Sequence, residues 1–187
     1  VPLMAQDGLI QISFLVFTAI ANSRGLDIAA AVGIVEKIIT FVFLVQSAMT
    51  ASVSAIVAQC KGTGDDKRAS RTLWYAMAVS VIYNLAVIVI SEIMPERIVG
   101  AFTSVKAVAD LGAGYLMTYI IDGVLTSIHF CFSGYFTAIG RSWYSFVHNM
   151  ISVLFIRIPI AWSVTLLFPD TLVPMGLAAP VGSLLSV

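Results

Sequence analysis

The amino-acid sequence predicts an all-α fold, a polytopic membrane bundle of six transmembrane helices, and three observations carry this. Of the 187 residues 59% are hydrophobic and only 11% are charged, with a mean hydropathy of +0.99. A soluble domain carries roughly 25% charged residues. So few polar residues cannot cover a surface in water, and lipid is the solvent in which such a surface stays apolar. Second, six apolar stretches approach the ~20 residues that a ~30 Å bilayer core requires. Third, none of them alternates with period two, which disfavours an outer-membrane type of barrel.

The first stretch runs from about Met4 to Asn22 and stops at the turn Ser23-Arg24-Gly25. The second covers Ala29 to Gln59, its start expected outside the bilayer core, and ends at a charged loop from Lys61 to Arg68 that holds Gly62 and Gly64. The third covers Thr72 to Ser91 and gives way to a connection from Pro95-Glu96-Arg97 to Asp110. The fourth, Gly112 to Ile139, is expected as one helix ending at Gly140-Arg141. The fifth runs from Trp143 to Phe168 and stops at Pro169-Asp170, and the sixth starts near Leu172 and reaches Val187. Pro159 and Pro180 fall inside apolar stretches and predict kinks. Trp74, Trp143 and Trp162 sit toward helix ends, where interface anchors belong. Val1-Pro2 and Val187 both read as cut ends, so residues 1–187 are expected to be a single transmembrane lobe of something longer. No internal repeat or low-complexity tract is visible.

The net charge is zero, so no electrostatic field for nucleic acid is expected. Cys60 and Cys131 make no disulfide framework, and no Cys/His cluster has zinc spacing, so no metal centre or bound cofactor is expected. No G-x-x-x-x-G-K-[ST] occurs, so this segment does not hydrolyse ATP through a P-loop. Neither H-E-x-x-H nor G-x-S-x-G occurs. Any solute movement must draw on an ion gradient or on another chain. Orientation follows from basic residues in short loops. Lys61, Lys67, Arg68, Arg71 and Arg141 fall on one side, and Arg24, Arg97 and Lys106 on the other. That bias puts the Lys61–Arg71 loop in the cytoplasm of a cell (plasma) membrane protein.

Polar residues within the apolar helices fall in stripes. In the fourth helix Thr118, Asp122, Thr126, His129, Ser133 and Thr137 recur at three- or four-residue spacing, on one face. The second helix offers Glu36, Thr40, Ser47, Thr50 and Ser54; the first offers Asp7, Gln11, Thr18 and Asn22; the third offers Ser80, Asn84 and Ser91. Such stripes should face the bundle interior. Interhelical hydrogen bonds of ~0.6–2 kcal/mol each account for isolated Ser and Thr. Four striped helices with ionisable members point instead to a hydrated cavity. Asp122 is the sharpest signal, since a carboxylate at the bilayer centre costs about 2.5–3.5 kcal/mol on insertion scales. Arg157 lies at a similar distance from the Gly140-Arg141 turn, so the two are expected to approach each other, as a structural pair or as part of a coupling site. Glu36-Lys37 is read as lying near a helix end, with both side chains reaching the interface.

These residues resemble the multidrug and toxic compound extrusion (MATE) antiporters, almost end to end, and are closest to their C-terminal six helices. Val1-Pro2 resembles the end of the Gly-x-Pro that opens that half. Gln59, Gly62, Gly64 and Arg68-Ala69 are similar to the family's second-helix end and loop. Ser133 to Phe146 resembles its Gly-Phe-Phe-x-x-x-Gly-Arg/Lys turn, and Arg157-Ile158-Pro159 followed by Gly176 to Pro180 continues the pattern. The resemblance implies two six-helix lobes around a cavity open alternately to each side, this chain being one lobe and the N-terminal lobe its partner. It implies export of organic cations and other drug-like compounds in exchange for H⁺ or Na⁺. Some members bind the coupling cation with acidic residues of the first and fourth helices of this lobe. Here those positions fall at Ile10 and near Ile128, so a Na⁺ site of that sort is not expected. Asp122 resembles an aspartate of other bacterial members. The expected cavity and ion-coupling residues are therefore Asp122, His129, Thr126, Thr118, Arg157, Glu36 and Gln11, with no catalytic role. Two alternatives stand beside this reading. A lipid-linked oligosaccharide flippase of the same superfamily would need several inward basic residues, where Arg157 is available. A multipass membrane enzyme would use Asp122 and His129 as acid and base.

Overall fold

The computed structural model describes residues 2–167 and 172–184, with side chains for residues 8–164, 167 and 172–184. Asp7, Pro169-Asp170 and Val187, named from the sequence, therefore lie outside the described side chains or residues. Every regular element among the described residues is a helix. Helix α1 is Pro2–Asn22, α2 Leu26–Gly62, α3 Asp66–Ile93, α4 Pro95–Gly100, α5 Lys106–Ile120, α6 Asp122–Ala138 and α7 Ser142–Ile151. A π-helical segment, Ser152–Arg157, joins α7 to α8, Ile158–Leu167; α9, Val173–Gly176, and α10, Ala178–Leu184, follow. Three spans are long and apolar enough to cross a membrane: Leu26–Gly62, Asp66–Ile93 and Ser142–Val164. The bent pair α5–α6 makes a fourth, and Gly8–Asn22 and Val173–Leu184 are shorter apolar helices beside them.

Several elements differ from their sequence-based expectations. The fourth apolar stretch is two helices, α5 and α6, bent by 43° at Ile121. The connection after Pro95 contains a helix, because Pro95 supplies a pre-set first helical residue. The fifth stretch changes to π-helical geometry just before Pro159, whose ring clashes with the carbonyl four residues back and whose nitrogen cannot donate. Helix α2 begins at Leu26 and runs for 37 residues, so Glu36 lies well inside it and not at its end.

The turns follow from glycine. Gly64 (φ 77) and Gly140 (φ 74) adopt left-handed backbone. Arg141 N–H then donates to Phe136 C=O at 2.8 Å and Gly140 N–H to Thr137 C=O at 3.1 Å, the Schellman pattern that closes α6. Asp65 N–H to Cys60 C=O, 2.9 Å, does the same for α2. Asp65 in turn caps α3, accepting from Arg68 N–H at 3.0 Å.

Helix α2 is the axis of the bundle. Its first half joins Phe17, Ile20, Tyr115, Leu116, Tyr119 and Met175 in one apolar core. Its second half supplies Val53, Val57 and Cys60 to another, with Leu73, Met77 and Cys131. Buried Gln46 and Thr50 lie on α2 between the two cores. Gln46 Nε2 donates to Asn84 Oδ1 at 2.9 Å and to Gly123 C=O at 3.3 Å. Thr50 Oγ1 donates to Phe130 C=O at 3.0 Å. This polar layer ties α2 and α3 to α6 at the level of the α5–α6 break. The outer faces are apolar and exposed, as Phe41, Leu44, Trp74, Ile82 and Phe155 show. Against lipid such a surface carries no cost.

Candidate functional site: a buried ion pair at two helix breaks

Asp122 is the first residue of α6, immediately after the break, and is fully buried. The carboxylate sits at a helix N-terminus, where the backbone dipole favours negative charge. Arg157 ends the π-helical segment and is 6% exposed. Its Nη2 donates to Asp122 Oδ2. The same nitrogen donates to Ser183 Oγ at 2.8 Å and reaches Ala179 C=O at 3.5 Å. The arginine is thus anchored on α10 and reaches across to α6. Gly182 permits this, because a Cβ there would run into the Arg157 stem. Ser152, one π turn before Arg157, donates to Gly182 C=O at 2.5 Å.

The π segment explains which residues share this face. Ser145, Asn149 and Ser152 recur at four- and three-residue spacing and are all buried. An α-helix would continue that face at residue 155 or 156. A wider π turn continues it at Arg157 instead. Asn149, Ser152, Arg157, Thr126, His129 and Ser183 then enclose a cavity of about 20 Å³, on the scale of one water molecule. Among its walls Thr126 Oγ1 and Asn149 Nδ2 are buried without a hydrogen-bond partner, as is Asp122 Oδ1 beside it in sequence.

A second carboxylate lies between α1 and α2. Thr18 Oγ1 donates to Glu36 Oε2 at 2.8 Å, while Glu36 Oε1 is buried with no donor. No ion pair with Lys or Arg holds it among the described residues. One turn on, Thr40 donates to the Glu36 backbone carbonyl at 2.8 Å. Thr40 also lines a cavity of about 230 Å³ with Gln11, Ser47, Phe14 and Phe43.

The structure distributes the sequence-predicted residues accordingly. Asp122 and Arg157 form the pair, and Thr126 and His129 share the small cavity with Arg157. Glu36 stands apart with Thr18, and Gln11 faces the cavity between α1 and α2. Thr118 turns its hydroxyl to the Gly114 and Tyr115 carbonyls of its own helix. Glu36 is partly buried well inside α2, its Oε1 fully so, where an interfacial position near a helix end is expected from the sequence, because α2 starts earlier than its apolar run. Sequence reasoning missed Gln46, Asn149, Ser152 and Ser183. The signals were present: Gln46 is the amide that follows the apolar run Phe41 to Val45, and Ser145-Asn149-Ser152 share a helical spacing.

Known proteins bear on this geometry. The MatE family model matches residues 2–163. A mutant of the Vibrio cholerae MATE transporter VcmN superposes with a TM-score of 0.91 at 17% identity, over 99% of this chain and 42% of that one. A MATE structure in a bent conformation gives 0.91 at 12% identity, over 100% and 41%. An inward-facing multidrug resistance MATE family transporter of the MOP superfamily gives 0.82 at 16% identity, over 99% and 44%. The chain thus spans about two-fifths of the length of these transporters. No curated protein sequence matches.

Proposed function

The chain belongs to the MatE family of membrane transporters, and on that premise we propose that it is the C-terminal lobe of a secondary exporter. The exporter expels drug-like organic compounds, organic cations foremost, in exchange for H⁺ or Na⁺ by alternating access. It resides in the plasma membrane with the Lys61–Arg71 loop in the cytoplasm. One observation carries this reading: the buried Asp122–Arg157 pair joins two helical spans at the points where each is broken. Discontinuous helices are where transporters place ion sites, since irregular backbone at membrane depth persists only around a cavity or site.

The proposed mechanism runs through this pair. Arg157 is held by Ser183 and the Ala179 carbonyl on α10, whereas Asp122 belongs to α6. A proton or Na⁺ arriving at Asp122 competes with the guanidinium for the same carboxylate. Once the cation is bound, the ion pair no longer ties α6 to the fifth and sixth spans, and the break at Ile121 is free to change angle. Loss of the cation restores the pair. Glu36, with an oxygen open to a cation and a one-turn link to the cavity wall at Thr40, is a second carboxylate for the same exchange. Asp122 Oδ2 accepts from Arg157, which favours a coupling or structural role for the carboxylate.

The test is efflux of ethidium from drug-sensitive cells expressing the complete protein, with and without a Na⁺ gradient. Wild type should expel the dye. Glu36→Gln and the double variant Asp122→Asn/Arg157→Gln should reach the membrane in equal amount and lose at least about tenfold of the rate, the factor that ~1.4 kcal/mol represents. Normal efflux from both variants would remove the carboxylates from the mechanism. Absence of efflux from wild type would remove the exporter reading.

A further inference from the structure

A cavity of about 490 Å³ opens between α6 and α7 at the Gly140-Arg141 turn, within the size range of small-molecule sites. Three aromatic side chains, Phe132, Phe136 and Tyr144, make its apolar wall. Phe136 stacks with Phe132 at 6.3 Å between ring centroids and lies 6.4 Å from Tyr144. Its polar lining residues are Arg141, His129, His148 and Ser145. No acidic side chain lines it among the described residues.

That combination is selective. A guanidinium has five N–H donors and no acceptor, and its planar fork matches a carboxylate with two parallel hydrogen bonds. Imidazole and hydroxyl groups add donors. An ammonium group would meet a like charge at Arg141 and no carboxylate to offset it. The aromatic wall suits a flat ring by offset stacking or edge contact. A bare phosphate or pyrophosphate would leave that wall unused. His129 also lines the small cavity beside Arg157, so this cavity adjoins the ion-pair site.

We propose that the α6–α7 cavity is a subsite for planar aromatic carboxylates: the acid group docks on Arg141 with help from His148 and Ser145, and the ring lies on Phe132 and Phe136. The exporter would then take aromatic acids and zwitterions as well as cations. Only that consequence rests on the transport reading; the binding itself does not.

The experiment compares three ligands that share one ring, naphthoate, naphthylmethanol and naphthylmethylammonium, by calorimetry on the complete protein in detergent. Naphthoate should bind about tenfold more tightly than the alcohol, the size of one charge-assisted contact screened by an exposed setting. The ammonium, which an exporter of organic cations also holds elsewhere, should lose no affinity on Arg141→Gln, since Arg141 repels it. Arg141→Gln should bring naphthoate down to the alcohol's affinity while leaving the alcohol unchanged, which also shows that the variant is folded. Arg141→Lys should keep part of the preference, and Phe136→Ala should weaken naphthoate and the alcohol by a similar factor. The proposal is overturned by an ammonium that loses as much affinity as naphthoate on Arg141→Gln, by a naphthoate preference over the alcohol that survives Arg141→Gln, or by inorganic pyrophosphate displacing naphthoate at equal concentration. Missing naphthoate preference alongside normal ethidium efflux sinks this subsite alone. A clear preference without efflux sustains the subsite and sinks the transport reading.

Discussion

Breaking the Asp122–Arg157 pair should be strongly asymmetric. Asp122→Asn leaves Arg157, 6% exposed, with two neutral acceptors, Ser183 Oγ and Ala179 C=O. Arginine cannot give up its proton, so the full cost of an unpaired buried charge remains, about 3–5 kcal/mol. Arg157→Gln leaves a carboxyl that can take up a proton and become neutral. The expected cost is then that of lost hydrogen bonds, about 1–3 kcal/mol. The double variant buries no charge and should sit closer to wild type than Asp122→Asn does. The charge swap Asp122→Arg/Arg157→Asp should rescue poorly, because an aspartate at 157 would face the acceptors that now serve the guanidinium. Unfolding can be followed by a thiol-reactive dye as Cys60 and Cys131, both buried, become exposed. At roughly 2–4 °C per kcal/mol, Asp122→Asn should lower the midpoint by roughly 6–20 °C. An Arg157→Gln loss equal to or larger than that of Asp122→Asn would refute this reasoning, as would additive losses in the double variant.

Other outcomes follow from the packing. A Cβ at Gly134 would sit 2.6 Å from the Thr50 carbonyl oxygen, which is backbone and cannot turn aside. Gly134→Ala should therefore cost about 1–3 kcal/mol by forcing α2 and α6 apart, while Gly33→Ala, with nothing within 4 Å, should leave the midpoint unchanged. Gln46→Leu leaves Asn84 Oδ1 and the Gly123 carbonyl without the amide that now donates to them, at about 1–3 kcal/mol. Adding Asn84→Leu should restore part of that loss, and two independent losses by the same dye assay would mean no shared network. Thr18→Val removes the hydroxyl that holds Glu36 Oε2; ethidium efflux should change its dependence on external pH or Na⁺ more than its maximal rate.

Much of this architecture can be read from composition and spacing. Apolar run length locates the spans, because lipid demands it of every crossing helix. Depth from the Gly140-Arg141 turn leads to the Asp122–Arg157 contact, because helical rise converts residue count into height. Periodicity, by contrast, assumes an unbroken helix. It could not show the bend at Ile121, where no proline intervenes and where Gln46 and Asn84, distant in sequence, hold the Gly123 end of the break. Nor could it show the π turn that carries Arg157 onto the Ser145-Asn149-Ser152 face. Glu36 was misplaced for a related reason. Its helix extends beyond its apolar run, so distance from the run's start understates depth. Thr118 fits the stripe on α5 and α6, yet the bend between them divides that stripe, and its hydroxyl stays with its own helix.

The most direct test of cation exchange at Asp122 is uphill transport in proteoliposomes. The complete protein is reconstituted with ethidium at equal concentration on both sides, and a pH or Na⁺ gradient is then imposed. The account predicts that wild type concentrates the dye and that Asp122→Asn/Arg157→Gln, stably folded, only equilibrates it. A double variant that still concentrates the dye as wild type does would contradict the account, because coupling would then proceed without the pair at the two helix breaks.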